Sequence, residues 1–136
     1  MGKVDGGGEI ILVVEDNPQN MELVTYLLED ADFVVLKAGD AEEARAAVGE
    51  SIPTLILMDM RLPGTDGLEL TKEFKARPEL SGVPVIALTA HAMRGDRERF
   101  LAGGCDGYIS KPISVKDFIG SVRGFLTSGT KEANNE

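Results

Sequence analysis

The sequence predicts an α/β fold: a three-layer α/β/α sandwich with a five-stranded parallel sheet and five helices. Two observations predict it. Short runs rich in Val, Ile and Leu alternate strictly with segments of helical period, and such alternation implies parallel strands joined by right-handed crossovers. The runs also show little in–out alternation, as expected of strands covered on both faces. A third feature bears on function. The runs end in reactive polar residues: Glu15-Asp16, Asp59, Thr89, and Lys111 before Pro112. In open parallel sheets the C-terminal strand ends share one edge, where ligands bind.

The elements follow in order. Residues 1–9 are polar and Gly-rich and read as a flexible leader. A strand is predicted over 10–15. Asn17 is a suitable cap, with Pro18 at the first helical position, for a helix over 18–31. A strand over 33–37 leads to Asp40 and Glu43, spaced as a capping box for a helix over 41–50. The next strand spans 54–59. It is followed by the turn-rich segment Met60-Arg61-Leu62-Pro63-Gly64-Thr65-Asp66-Gly67. Asp66 with Glu69 repeats the capping spacing for a helix over 67–77. A strand over 83–88, a helix over 93–103 and a strand over 107–110 come next. Ser114 is a cap candidate for a helix over 115–127, whose apolar stripe is Val115, Phe118, Ile119, Val122 and Leu126. Residues 128–136 read as a flexible tail.

At 136 residues the chain fits one compact domain with a sizeable core. It has 43% hydrophobic and 27% charged residues, ordinary proportions for a soluble protein. No apolar run reaches the roughly 18 residues that span a bilayer. The N-terminus lacks the apolar stretch of a secretory signal, and Gly6 stands where myristoylation wants Ser or Thr. A single cysteine, Cys105, excludes an internal disulfide and fits a reducing cytoplasm; it is expected to be a small buried hydrophobe. The formal net charge of -9 argues against a nucleic-acid partner, which needs a basic footprint.

Each strand-end residue has a plain structural reading beside a chemical one. Glu15 and Asp16 form either an acidic turn or a pair inviting a hard divalent cation such as Mg²⁺, which favours oxygen ligands. Asp59, directly after a buried apolar strand, is costly to ionise unless partnered. As a carboxylate it is also a competent nucleophile towards phosphorus. The loop after Asp59 can offer a backbone carbonyl to a metal. Lys111 is either a solvated surface lysine or the mobile cation that a phosphoryl group beside three carboxylates needs. Pro112 makes a cis bond possible there. Thr89 is either a β-branched strand residue or a donor to a phosphoryl oxygen.

Taken together, the Glu15-Asp16 pair, Asp59 followed by Leu62-Pro63-Gly64 and Asp66-Gly67, the Thr89-Ala90 pair and Lys111-Pro112 resemble the receiver domain of bacterial response regulators. The resemblance covers residues 10–127. Its wording is most similar to single-domain cell-cycle and phosphorelay receivers of the DivK type. It implies a flavodoxin/CheY-like strand order of 2-1-3-4-5. It implies that Asp59 accepts a phosphoryl group from a sensor histidine kinase or histidine phosphotransfer protein. Asp16, Asp59 and the Arg61 carbonyl would hold Mg²⁺, with Glu15 acting through water. Lys111 and Thr89 would contact the phosphoryl oxygens. Thr89 and Tyr108 would form a switch, turning a docking face made by 93–127 towards a downstream protein. Without the resemblance, Tyr108 reads equally as an amphipathic sheet-edge residue. Arg61 and His91 would tune hydrolysis, and their bulk implies a fairly long-lived phosphoryl group.

The expected protein is a stand-alone cytoplasmic signalling protein rather than an enzyme, with at most self-phosphorylation from small donors and slow autodephosphorylation. It is expected neither to insert in membranes nor to bind nucleic acid directly. Three rivals are weighed. An aspartate-nucleophile Mg²⁺-dependent phosphatase usually needs a second Asp two residues after the first, where Arg61 stands. A flavin carrier needs a phosphate loop after the first strand, where Glu15 and Asp16 would repel phosphate. An inert receiver-like docking module would not need the full residue set.

Overall fold

The structure, a computed structural model, describes residues 9–90 and 94–128. Five strands form one parallel sheet: β1 (Ile10–Val14), β2 (Val34–Ala38), β3 (Leu55–Asp59), β6 (Val85–Thr89) and β7 (Gly107–Ser110). Between β3 and the third helix lies a two-residue ladder, β4 (Arg61–Leu62) with β5 (Thr65–Asp66). The helices are α1 (Pro18–Asp30), α2 (Ala41–Glu50), α3 (Gly67–Lys75), α4 (Arg94–Ala102) and α5 (Phe118–Ser128). The sheet order is β2-β1-β3-β6-β7, which is the expected 2-1-3-4-5 arrangement once the small ladder is set aside.

The layers follow from the two-residue period of the strands. Leu12, Val14, Ile56, Met58, Val85 and Ala87 face one core, closed by Ala44 and Val48 of α2, Phe74 of α3 and Phe100 of α4. Ile11, Val13, Leu55, Leu57, Ile86 and Leu88 face the other, closed by Val24 and Leu28 of α1 and Phe118 and Val122 of α5. β3 and β6 are buried at every residue. That explains why their sequences read as unbroken apolar runs.

Local chemistry sets the helix starts. Asn17 accepts a hydrogen bond from the Asn20 N–H at 3.0 Å, and Asp40 accepts from Glu43 N–H at 2.8 Å. The Glu43 carboxylate accepts from the Gly39 N–H rather than from that of the cap itself. Asp66 accepts from Leu68 N–H at 2.9 Å. Each such cap stabilises by about 1 kcal/mol.

Some predicted boundaries move, for identifiable reasons. The second strand starts at Val34 rather than residue 33. The Phe33 N–H is committed to the Leu28 carbonyl at the end of α1, beyond Asp32 at φ 73°. The fourth sheet strand starts at Val85, after Pro84, rather than at 83. α3 ends at Lys75, two residues early. The last helix begins at Phe118, not 115. The Ser114 hydroxyl and carbonyl instead hold Asp117 in a turn. Val115 therefore leaves the predicted stripe and stands 60% exposed. A small ladder stands where the sequence predicts only a turn-rich segment. Pro63 and Gly64 (φ 76°) turn it over, since Pro then a residue with positive φ suits the two central positions of a type II turn.

Candidate functional site

The C-terminal ends of β1, β3, β6 and β7 converge on a cleft of about 300 Å³. Glu15, Asp16, Asp59, Arg61, Thr89 and Lys111 all line it. Backbone bonds fix this convergence. The Glu15 N–H donates to the Ala38 carbonyl and the Met60 N–H to the Leu88 carbonyl. The Lys111 N–H donates to the Thr89 carbonyl at 2.8 Å, which carries the lysine side chain to the neighbouring strand ends.

Asp59 closes β3 and is only 4% exposed. One of its oxygens, Oδ1, accepts from the Arg61 N–H at 3.0 Å. The other, Oδ2, lies 3.5 Å from Lys111 Nζ. Burial, first, and the facing Glu15 push the Asp59 carboxyl above the ordinary carboxylate range, while the Arg61 N–H and Lys111 pull the other way. Glu15 is nearly as buried, at 2%. Its Oε2 accepts from the Asn17 N–H at 3.1 Å. Its Oε1 lies 3.0 Å from Lys111 Nζ. That approach has the length of a hydrogen bond without its alignment, so it is an ion pair. Asp16 is exposed at the cleft. Ligand oxygens of Glu15, Asp16 and Asp59 all lie within 4.8 Å of one another. Three hard-oxygen donors with one ammonium between two of them fit a divalent cation such as Mg²⁺.

Thr89 ends β6 and is buried. Lys111 follows β7, and the Lys111–Pro112 bond is cis. Tyr108, two residues before Ser110 on β7, is half-buried, and its hydroxyl accepts from Arg97 Nη1 at 2.9 Å. His91 lies outside the described residues. The structure thus brings together Glu15, Asp16, Asp59, the Arg61 backbone, Thr89 and Lys111, and sets Tyr108 on the adjoining face. Arg97 had no signal in the sequence. It is 11 residues from Tyr108, and only the packing of α4 on β7 brings the two together. Cys105 is 5% exposed, and burial, above all, pushes its thiol up to about 11.

Residues 11–123 match the response regulator receiver domain. The polar-differentiation response regulator DivK of Brucella anthropi is 47% identical over 116 residues, which cover 85% of this chain and 94% of that protein. The receiver domain of a sensor histidine kinase from Pseudomonas aeruginosa PAO1, solved with a magnesium ion coordinated in its active-site cleft, superposes with a TM-score of 0.81 at 35% identity. The match covers 90% of this chain and all of that one (100%). The Vibrio cholerae chemotaxis protein CheY4 gives a TM-score of 0.82 at 23% identity over 87% of this chain and 98% of that one; that likeness shows the fold.

Proposed function

The chain belongs to the response regulator receiver domain family, and from that premise we propose that it takes a phosphoryl group onto Asp59 and thereby switches a protein-docking face. The observation that carries this reading is the meeting of Asp59 with Glu15, Asp16 and Lys111 in one open cleft. A structural aspartate needs a partner; it does not need two further carboxylates beside it.

The donor is a phosphohistidine on a kinase or phosphotransfer protein. With Oδ1 held by the Arg61 N–H, Oδ2 is the attacking oxygen. A P–O bond forms to Asp59, the P–N bond to the histidine breaks, and the departing imidazole nitrogen takes a proton from solvent. Lys111, 3.5 Å from Oδ2, moves onto the incoming phosphoryl oxygens, and Thr89 donates its hydroxyl to another. Such transfer needs mainly positioning and charge neutralisation. Asp16, Asp59 and the Arg61 carbonyl would hold Mg²⁺, with Glu15 acting through water. The ion supplies the positive charge that three carboxylates and a phosphoryl group demand beyond one ammonium. The magnesium-bearing Pseudomonas neighbour supports that assignment.

The output surface is the α4–β7–α5 face. Leu101 on α4 and Val115 before α5 are 52% and 60% exposed, and Tyr108 lies on the strand between those helices. Exposed apolar side chains suit a protein partner. Similarity to a polar-differentiation regulator over 94% of its length supports signalling by docking. No helix among the described residues is long and apolar enough to cross a membrane.

Incubation with acetyl phosphate and Mg²⁺, followed by intact-mass measurement, tests the reading. Wild type gains one phosphoryl mass; Asp59→Asn and an EDTA-treated sample do not. An unmodified wild type would leave only an inert docking module.

A further inference from the structure

We propose that Arg97 is a positioning residue for Tyr108: it holds the half-buried ring where it packs on the core edge with its hydroxyl at α4, and so sets the cost of switching. The inference rests on reading Tyr108 as the aromatic partner of the Thr89 switch. Two contacts carry it. Arg97 Nη1 donates to the Tyr108 hydroxyl at 2.9 Å. The same guanidinium stands 5.6 Å from the ring centroid, inside the distance at which a cation is drawn to an aromatic face.

Both contacts belong to one arrangement of the ring. Arg97 lies exposed on α4, whereas Thr89 is buried at the end of β6. Tyr108 pairs in register with Ala87, two residues before Thr89. A ring that turns inward to fill space beside Thr89 carries its hydroxyl away from the helix surface. The hydrogen bond and the cation–ring contact are then lost together. A contact made in only one of two packings biases the equilibrium by its full worth. By linkage, phosphoryl occupancy of Asp59 must in turn weaken the Arg97–Tyr108 contact.

Beryllium fluoride with Mg²⁺, a stand-in for the phosphoryl group, provides the test. Its affinity is measured by ¹⁹F NMR for wild type, Arg97→Met, Arg97→Lys, Tyr108→Ala and the Arg97→Met/Tyr108→Ala double variant. Arg123→Met on α5 is the control for loss of one charge. Arg97→Met is expected to bind about two- to fivefold tighter than wild type. Arg97→Lys should fall between the two. The Arg97→Met effect should vanish in the Tyr108→Ala background. Close contacts between the Arg97 side chain and the Tyr108 ring, seen by NOE in the free protein, should disappear on binding. Unchanged affinity in Arg97→Met, a gain matched by Arg123→Met, or the same gain without Tyr108 would overturn the assignment of Arg97. Failure of wild type to bind the probe would instead overturn the phosphoacceptor reading beneath it.

Discussion

Lys111 Nζ stands 3.0 Å from Glu15 Oε1 and 3.5 Å from Asp59 Oδ2. One ammonium from beyond β7 therefore bridges buried carboxylates that begin 44 residues apart, at the ends of β1 and β3. It offsets one of their two negative charges, and in the proposed reading it is the group that a phosphoryl oxygen recruits.

Replacing that lysine separates the two roles. Lys111→Met leaves Glu15 and Asp59 buried without their cation, so metal-free stability should fall by about 1–3 kcal/mol. Mg²⁺ should bind more tightly, because no ammonium competes for the same oxygens. Phosphorylation by acetyl phosphate should nevertheless slow about tenfold or more. Urea unfolding in EDTA, calorimetric Mg²⁺ titration and intact-mass kinetics measure the three effects. Weaker metal binding would contradict the competition.

The raised Asp59 carboxyl makes a pH prediction. A carboxylate whose folded value exceeds its unfolded value, near 3.9, costs stability when ionised. That cost is complete above the folded value and absent below the unfolded one. Asp59→Asn should therefore stabilise the metal-free protein at pH 7. The advantage should shrink as pH falls towards 4. Adding Mg²⁺ should stabilise wild type more than the variant. Urea unfolding from pH 4.5 to 7.5 checks this, and an advantage that grew on acidification would refute it.

Gly67 opens α3 directly against the end of β3, where Asp59 stands. A Cβ there would collide with the Asp59 carbonyl oxygen and lie 2.8 Å from Met60 Cα. Gly67→Ala should destabilise by about 1–3 kcal/mol through overpacking. By shifting the Asp59 backbone it should also weaken Mg²⁺ binding. Gly49→Ala, where an added Cβ meets nothing within 4 Å, serves as the comparison and should leave metal binding intact.

Cys105 should be chemically quiet. With its thiol pushed up to about 11 by burial and only 5% of its surface exposed, almost none is thiolate at pH 8. Ellman's reagent should react slowly with the native protein and promptly in urea. A fast native reaction would place the thiol at the surface.

Much of this was legible in the chain. The strand ends could be read because β3 and β6 are covered on both faces, so their runs are continuous and end abruptly at Asp59 and Thr89. The caps at Asn17, Asp40 and Asp66 could be read because a cap is local chemistry. Where local signals compete, spacing alone misplaces the boundary. Val115 has helical spacing with Phe118 and Ile119, but the Ser114 hydroxyl wins the first turn and leaves it exposed. Phe33 looks like strand, but its N–H is claimed by the end of α1.

The amino-acid order by itself determined the layered fold, its element sequence and the set of reactive residues, because those depend on periodicity and on where apolar runs stop. It could not determine that Lys111 divides itself between Glu15 and Asp59, that one Asp59 oxygen is anchored by the Arg61 N–H, or that Arg97 reaches Tyr108. Those relationships depend on sheet register and on the rotation of α4 over β7. Both are settled by side-chain packing among residues distant in sequence, and packing leaves no mark in local spacing.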